Sequence, residues 1–592
     1  MKAKNIFLLY LLSGVLLFCS CKRDSFLDLT PSDDLATNAY WNTAADLENY
    51  ANSFYEITNV FPRYNSYGSL GIYSVDDNSD NMVPLSVNSR LNGLNTVASN
   101  GDYAKWTDIY TVNYFLANYS KVDAEASAIS AYVGEAYFLR ACLYFNGVTS
   151  FGDLPWINKP LTTDDTALIY SPRLSRHIII DSVIKDLDSA IALLPTKSNA
   201  SAMRIYKEYA QGMKARICLY EGTWEKYHEN DDFGVSGQDG TTYLQLAAEA
   251  ADAVISSGTF QLDNVGEYNG YFNLFNQTDY SSSNEIMFWR AYNQTDGLIT
   301  YWQNYYQFGS EGTCDDGISK SLVDAFLCTD GKPISLSSLY EGDDSLSQIV
   351  ANRDPRLRQS IFMYGDTVVA NESGISGSIK YFTYPALVSG DPNTTGFQIK
   401  KGLNTDYYQD SHNSTGGTDG TIYMRYAEIL LIYAEAKAEL GTITQNDIDI
   451  TINELRARVN MPDLTLTGIP TDPDWQFPDL SPIINEVRRE RRVELACEGY
   501  RLNDLMRWAA AGSLIVNYQP LGAKENQFAT VISDLEVGTN IYTNTDGYIL
   551  PYANTSSMAD GYQFNTGRDY LLPISLSQIT KANGKISQNP GW

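Results

Sequence analysis

Histidine is nearly absent from this 592-residue chain: only His177, His228 and His412 occur. With no HExxH and no Cys-x-x-Cys pair either, a zinc site built from His or Cys is excluded in practice. Carboxylate sites for hard cations stay open. Basic residues are also scarce, 42 Lys and Arg against 71 Asp and Glu, for a formal charge of −29. Phosphate recognition needs a basic field that this chain lacks, so a nucleic-acid partner is excluded, and acidic membrane surfaces repel the chain. No GxSxG, P-loop or GxGxxG occurs, which removes the commonest motif-built enzymes. Paired carboxylates of a glycosidase have no fixed spacing, so that class stays open. The longest apolar run, Ile6 to Phe18, has thirteen residues and is too short to span a bilayer.

That run, preceded by Lys2 and Lys4, has the form of an export signal. It ends in Phe18-Cys19-Ser20-Cys21, which resembles a bacterial lipobox with Cys21 as the first mature residue. An ordinary secretory signal or a short anchor explains the small residues but not the terminal Cys. Removing residues 1–20 takes the charge to −31, since two Lys and no acid are lost. Five further cysteines remain, without framework spacing, so a disulfide-stapled scaffold is excluded. Cys142, Cys218 and Cys497 fall in helical patterns and read as small buried hydrophobes; Cys314 and Cys328 are a candidate pair across a loop.

What the chain has is 44% hydrophobic residues and 43 tyrosines. That is enough to bury a large core, and the length calls for two or more packed sub-regions. Val133, Tyr137, Ala141, Tyr144, Phe145 and Val148 share one helical face, and the helix stops at Gly152 before Leu154-Pro155. Further helices are predicted at 178–194, around Ala210–Tyr220, at 244–255 closed by Gly258, at 423–440 closed by Gly441, at 447–459 and at 481–511. Trp106 opens another and reads as packed. The fold class is mainly α, a tetratricopeptide-like helical-repeat scaffold decorated with long loops and short strands, although no clean 34-residue period is visible. The expected organisation is a signal peptide (1–20), a helical-repeat region (21–261) and a C-terminal region (262–592), itself a loop-rich layer (262–420) and closing helices (421–592). In the last helix, Glu486 with Arg489, Arg491 with Glu494 and Glu498 with Arg501 are expected to pair at i, i+3 as structural ion pairs.

Several segments carry a family likeness. SFLDLTP (25–31), LRACLYFNGVTSFGDLPW (139–156), DLDSAIALLP (186–195) and YAQGMKARICLYEGTW (209–224) are followed by YMRYAEILLIYAEAKAELG (423–441), INELRARVNMP (452–462) and EVRRERRVELACEGYRLNDLMRW (486–508). LLPIS (571–575) and QNPGW (588–592) close the chain. In this order, after a lipobox, they resemble the SusD/RagB family of outer-membrane lipoproteins; Cys497 and Met506 are small departures. The resemblance implies four tetratricopeptide-like helix pairs, no enzyme activity, no cofactor, and a lipid-anchored protein facing the cell exterior. It also implies a SusC-like TonB-dependent transporter as partner and a glycan or other oligomeric nutrient as ligand. A surface peptide-binding or adhesion protein is the alternative that the same scaffold permits.

The family motifs are scaffold residues, so the ligand contacts are read from chemistry. Glycans need flat aromatic faces and side chains that bond hydroxyls. Residues 264–308 hold thirteen aromatics in 45 positions, more than twice the chain average. Within them Tyr301, Trp302, Tyr305 and Tyr306 are the expected platforms. Asp76, Asp77 and Asn78, in an acidic loop that lacks the EF-hand pattern, and Arg90 are the expected polar contacts. Cys21→Ala is predicted to leave a soluble form that takes up no palmitate analogue; equal labelling of the wild type and the variant would refute the anchor.

Overall fold

The computed structural model describes residues 40–64, 71–263, 269–300, 316–370, 379–388, 390, 392–411 and 416–592. Its frame is a run of helices, each packed on the next. After α1 (Ala44–Asn52) come α2 (Trp106–Asn118), α3 (Ala126–Phe151), α4 (Arg176–Leu193), α5 (Lys207–Tyr227) and α6 (Thr241–Ser256). The stack then jumps across the second half of the chain to α9 (Tyr426–Glu439), which packs on α6, and to α11 (Pro482–Glu494), which packs on α9. Antiparallel neighbours stacked in this way are the geometry of a helical-repeat scaffold.

The helices expected around 178–194, 210–220 and 244–255 are present as α4, α5 and α6, whereas the one expected from 423 starts at Tyr426, because Thr421–Arg425 form a strand. The 133–148 face belongs to the 26-residue α3, which terminates where Gly152 takes φ +70°. Pairing of α5 with α6 depends on two glycines: a Cβ on Gly240 (φ +76°) would lie 1.8 Å from the Gly222 carbonyl oxygen. The helix expected at 447–459 is two short pieces, Gln445–Asp449 and α10 (Ile452–Ala457). The helix expected from 481 to 511 is also broken: α11 ends at Glu494, α12 spans Arg501–Arg507 and another turn covers Ala511–Leu514. Cys497 (φ +61°) and Gly499 (φ +84°) lie in the break, and left-handed residues cannot continue a helix. Cys142 and Cys218 are buried in α3 and α5, whereas Cys497 is buried in this turn. Cys328 is a free buried thiol, and its candidate partner Cys314 lies outside the described residues.

Strands are few and short. β1 (Met82–Val83) pairs with β3 (Gly317–Ile318), β2 (Ile286–Arg290) with β6 (Thr421–Arg425), and β4 (Thr367–Val369) with β5 (Lys380–Tyr381), all antiparallel. β6 runs directly into α9, so this ribbon hangs the loop layer from the helical stack. One hydrophobic core runs from Trp41 through α3, α5 and α9 to Ile586 and joins the first and last parts of the described residues. A second, with Tyr271, Phe275, Phe326, Phe362, Phe397 and Phe528, lies beneath the loop layer. Of the aromatics in the 264–308 stretch, Tyr271, Phe272, Phe275 and Tyr280 are buried in this second core, Phe288 is buried in the first, and Tyr292 is buried too. Phe288 stacks on Tyr209 with ring centroids 4.4 Å apart.

A titratable cluster sits between α4, α5 and α6. Glu225 Oε1 lies 2.7 Å from His177 Nδ1, and the Tyr243 hydroxyl donates to Asp181 at 2.9 Å. Burial, reinforced by the neighbouring Glu221 charge, raises the Glu225 pKa to about 7. A carboxyl raised on folding contributes stability that is complete below its unfolded value and lost as pH rises through 7. Glu225→Gln is therefore expected to melt about 2 °C above wild type at pH 8, with the gap closing towards pH 5, in scanning calorimetry.

Candidate functional site

Tyr301, Trp302, Tyr305 and Tyr306 lie outside the described residues, but both ends of their segment are tied to the N-terminal loop. On one side the buried Thr300 donates its hydroxyl to the Tyr64 carbonyl (2.9 Å) and its N–H to the Gly417 carbonyl (2.8 Å). On the other, the Asp316 N–H donates to the Tyr73 hydroxyl (3.1 Å), and Gly317 pairs with Val83 across β1 and β3. Tyr292 fastens the same corner: its hydroxyl accepts from the Tyr64 N–H (3.4 Å) and lies 3.0 Å from Thr421 Oγ1. Beneath this corner is a cavity of about 270 Å³, lined among others by Pro62, Tyr64, Asn146, Arg216, Tyr423 and Asn503.

The structure corrects one of the expected polar contacts, Asp76, and gives Arg90 a structural role. Asp76 is fully buried: one carboxylate oxygen accepts from the Asn81 amide (3.0 Å) and the Cys497 N–H (3.0 Å), the other from the Gly499 N–H (3.1 Å). Burial raises its pKa to about 6 against the pull of those donors. Asp76 thus holds the left-handed turn between α11 and α12, and no lone pair faces a ligand. Arg90 donates Nε to the Asp569 carbonyl and Nη2 to the Tyr570 carbonyl, both at 2.8 Å. Two of its five N–H donors thus clamp the C-terminal segment, while Arg90 stays half-buried. Asp77 and Asn78 stay half-buried in the same turn, and no buried donor meets Asn78 Oδ1.

Two displayed aromatics escaped the sequence reading. Tyr364 is 80% exposed and Tyr381 55% exposed, over the stacked Phe362 and Phe382 (centroids 4.6 Å apart) beside β4 and β5. The available signal was Tyr364-Gly365-Asp366: Gly365 takes φ +85°, a turn that puts the preceding side chain at a loop tip.

The charges near the loop layer pair internally. Arg425, at the end of β6, donates to Glu494 (2.6 Å), to both Glu498 oxygens (2.7 and 2.8 Å) and to Glu285 (3.1 Å). Arg356 and Arg458 also reach Glu494, and Lys401 reaches Glu498 at 2.7 Å. Three guanidinium groups hold the Glu494 carboxyl well below the usual carboxylate range, despite its burial. Arg501 clasps Asp80 from the N-terminal loop (2.6 and 2.9 Å), with Arg492 at 3.0 Å from the same carboxylate. Of the expected i, i+3 pairs, Glu486 with Arg489 forms at 3.6 Å; Arg491 turns to Asp504, Glu494 to the three arginines, Glu498 to Arg425 and Lys401, and Arg501 to Asp80. Among the described residues, no three His, Cys, Asp or Glu side chains are grouped to hold a metal ion.

This architecture has close counterparts. The profile of the SusD family matches residues 272–592, and a second, described as starch-binding associating with outer membrane, matches residues 25–219. The chain belongs to the SusD family. SusD-like protein P38 of Formosa agariphila is 25% identical over 517 residues, covering 86% of this chain and 92% of that protein. SusD-like protein P2 of the same organism is 22% identical over 595 residues, 98% of this chain and 99% of that protein. Among solved structures, a SusD-like carbohydrate-binding protein from Bacteroides fragilis aligns with a TM-score of 0.67 at 24% identity, over 92% of this chain and 99% of its own. A laminarin-binding SusD-like protein aligns at 0.55 and 19% identity, over 93% and 100%.

Arg501→Ala leaves a buried carboxylate short of its bidentate partner. The expected cost is about 3 kcal/mol, read as a lower denaturant midpoint, with the N-terminal loop more open to proteolysis. An unchanged midpoint would mean that Arg492 alone neutralises Asp80.

Proposed function

We propose that the protein is a cell-surface lipoprotein, anchored through Cys21, that binds a glycan without turning it over and passes it to a SusC-like TonB-dependent transporter in the outer membrane. The observation that carries this reading is the end-to-end likeness to SusD-family proteins, some described as carbohydrate-binding and one as laminarin-binding. The loop layer supports it physically. A long segment with Tyr301, Trp302, Tyr305 and Tyr306 is held at both ends by buried hydrogen bonds, and Tyr364 and Tyr381 present ring faces to solvent. Aromatic faces cover the C–H patches of sugar rings, while amides and carboxylates such as Asn78 and Asp77 bond hydroxyls.

The test uses the Cys21→Ala mature chain in affinity electrophoresis against plant, microbial and host glycans. Retardation by at least one glycan, with no reducing ends released, is expected. Trp302→Ala, Tyr364→Ala and Tyr381→Ala should each weaken binding several-fold where the ring stacks on the sugar, since one platform contributes about 1 kcal/mol. Full affinity in all three variants places the site elsewhere; release of reducing ends rejects the non-enzymatic reading.

A further inference from the structure

A second pocket lies between α7 (Lys320–Ala325), α11 and the 472–477 loop. Its volume is about 380 Å³, within the range of small-ligand sites. The walls join the faces of Trp475 and Phe477 and the side chain of Ile334 to the guanidinium groups of Arg488, Arg489 and Arg492.

The hydrogen-bond balance of that lining is uneven. Arg492 is spent on Asp80, Asn81 and Ser321, and Arg489 on Asp472 at 2.5 Å. Asp472 also accepts from Ser335 (2.7 Å), and Asp324 is paired with Lys320 (2.5 Å), so two wall carboxylates are neutralised; Asp474 is exposed. Arg488, only 2% exposed at its side chain, uses Nη2 on Glu439 (2.9 Å), while its Nε and Nη1 have no acceptor. Three rings surround that guanidinium, Trp508 at 4.2 Å, Phe477 at 4.4 Å and Tyr227 at 4.8 Å, but ring faces do not satisfy in-plane N–H groups. The Trp475 indole N–H also lacks an acceptor. Three donors, two of them on a buried cation, thus go unmatched in side chains that line a pocket with apolar walls. Buried donors left unpaired cost free energy that an acceptor-bearing occupant recovers.

We infer that this pocket binds a monosaccharide-sized carboxylate of the uronic-acid class, its carboxylate drawn to the Arg488 side and its ring laid against Trp475 and Phe477. The volume admits one or two sugar rings, the unmatched donors demand acceptors, and the unspent N–H groups of a cation favour an anion over a neutral polyol. This does not rest on the glycan reading of the loop layer, because it is argued from Arg488, Trp475 and Phe477, and neither Tyr364 nor Tyr381 lines this pocket.

Isothermal titration of the Cys21→Ala mature chain with galacturonate and glucuronate, against glucose and acetate, tests it. One uronate is expected to bind at least tenfold more tightly than glucose or acetate. Trp475→Phe, which keeps the ring and removes one donor, should weaken that binding about fivefold. Ile334→Trp, at the half-buried wall, should abolish it while the melting temperature stays at the wild-type value. Absence of uronate binding means that solvent alone fills the pocket and overturns the inference. So does equal binding of glucose, or uronate binding unchanged in both variants, and the Trp475→Phe result decides the matter should Ile334→Trp fail to fold.

Discussion

Everything in the loop layer depends on one buried carboxylate, Glu494, the last residue of α11. Three arginines from three places in the chain converge on it: Arg356 from α8 (Pro355–Ser360), Arg425 from β6, and Arg458 just after α10. Each ion has been taken out of water, at a cost of several kcal/mol before any pairing. Mutual attraction and the extra hydrogen bonds to Glu285, Glu490, Glu498 and Asp354 offset that cost only while the whole set stays in place. Such a network adds little net stability, but loss of one member is expensive, so it specifies a single arrangement of helices against loops.

The arrangement gives a division of labour. Helices from α2 to α11 bury nearly continuous faces and leave little freedom in backbone position. The loop layer has its own small core, short strands and long connections, and it is joined to the stack by the β2–β6 ribbon, by the Glu494 cluster and by the Asp80–Arg501 clasp. Loops held at their ends by a rigid frame accept new tip residues without disturbing the fold. That explains how blocks shared across a family coexist with identities near 20%.

Helices were legible because periodicity survives in a single chain: the apolar face of α3 and the glycine at its end are visible without any partner. The turn after α11 was less so. Glu494 to Arg501 carries helix-forming residues and charges at helical spacing, and the interruption comes from Asp76, more than 400 residues away, accepting from the Cys497 and Gly499 N–H groups. The only local trace was Gly499. Once the helix stops at Glu494, Glu498 and Arg501 no longer share a helical face, and they find long-range partners instead.

Asp76 also shows why polar residues mislead when read locally. An acidic, amide-rich run has the composition of a solvated loop, and solvated loops carry ligand contacts. Here Asp76, Asp80 and Asn81 all point inward, because the chain keeps a run of arginines on α11 and α12 that must be neutralised out of water. Aromatics invert in the same way: Tyr271 and Phe288, in the richest aromatic stretch, fill the cores, whereas Tyr364, in an unremarked turn, stands in solvent. Composition counts how many rings and charges a segment has, but burial decides which of them meet a ligand. Burial here is set by which arginine reaches which carboxylate across several hundred residues, a pairing that no local pattern encodes.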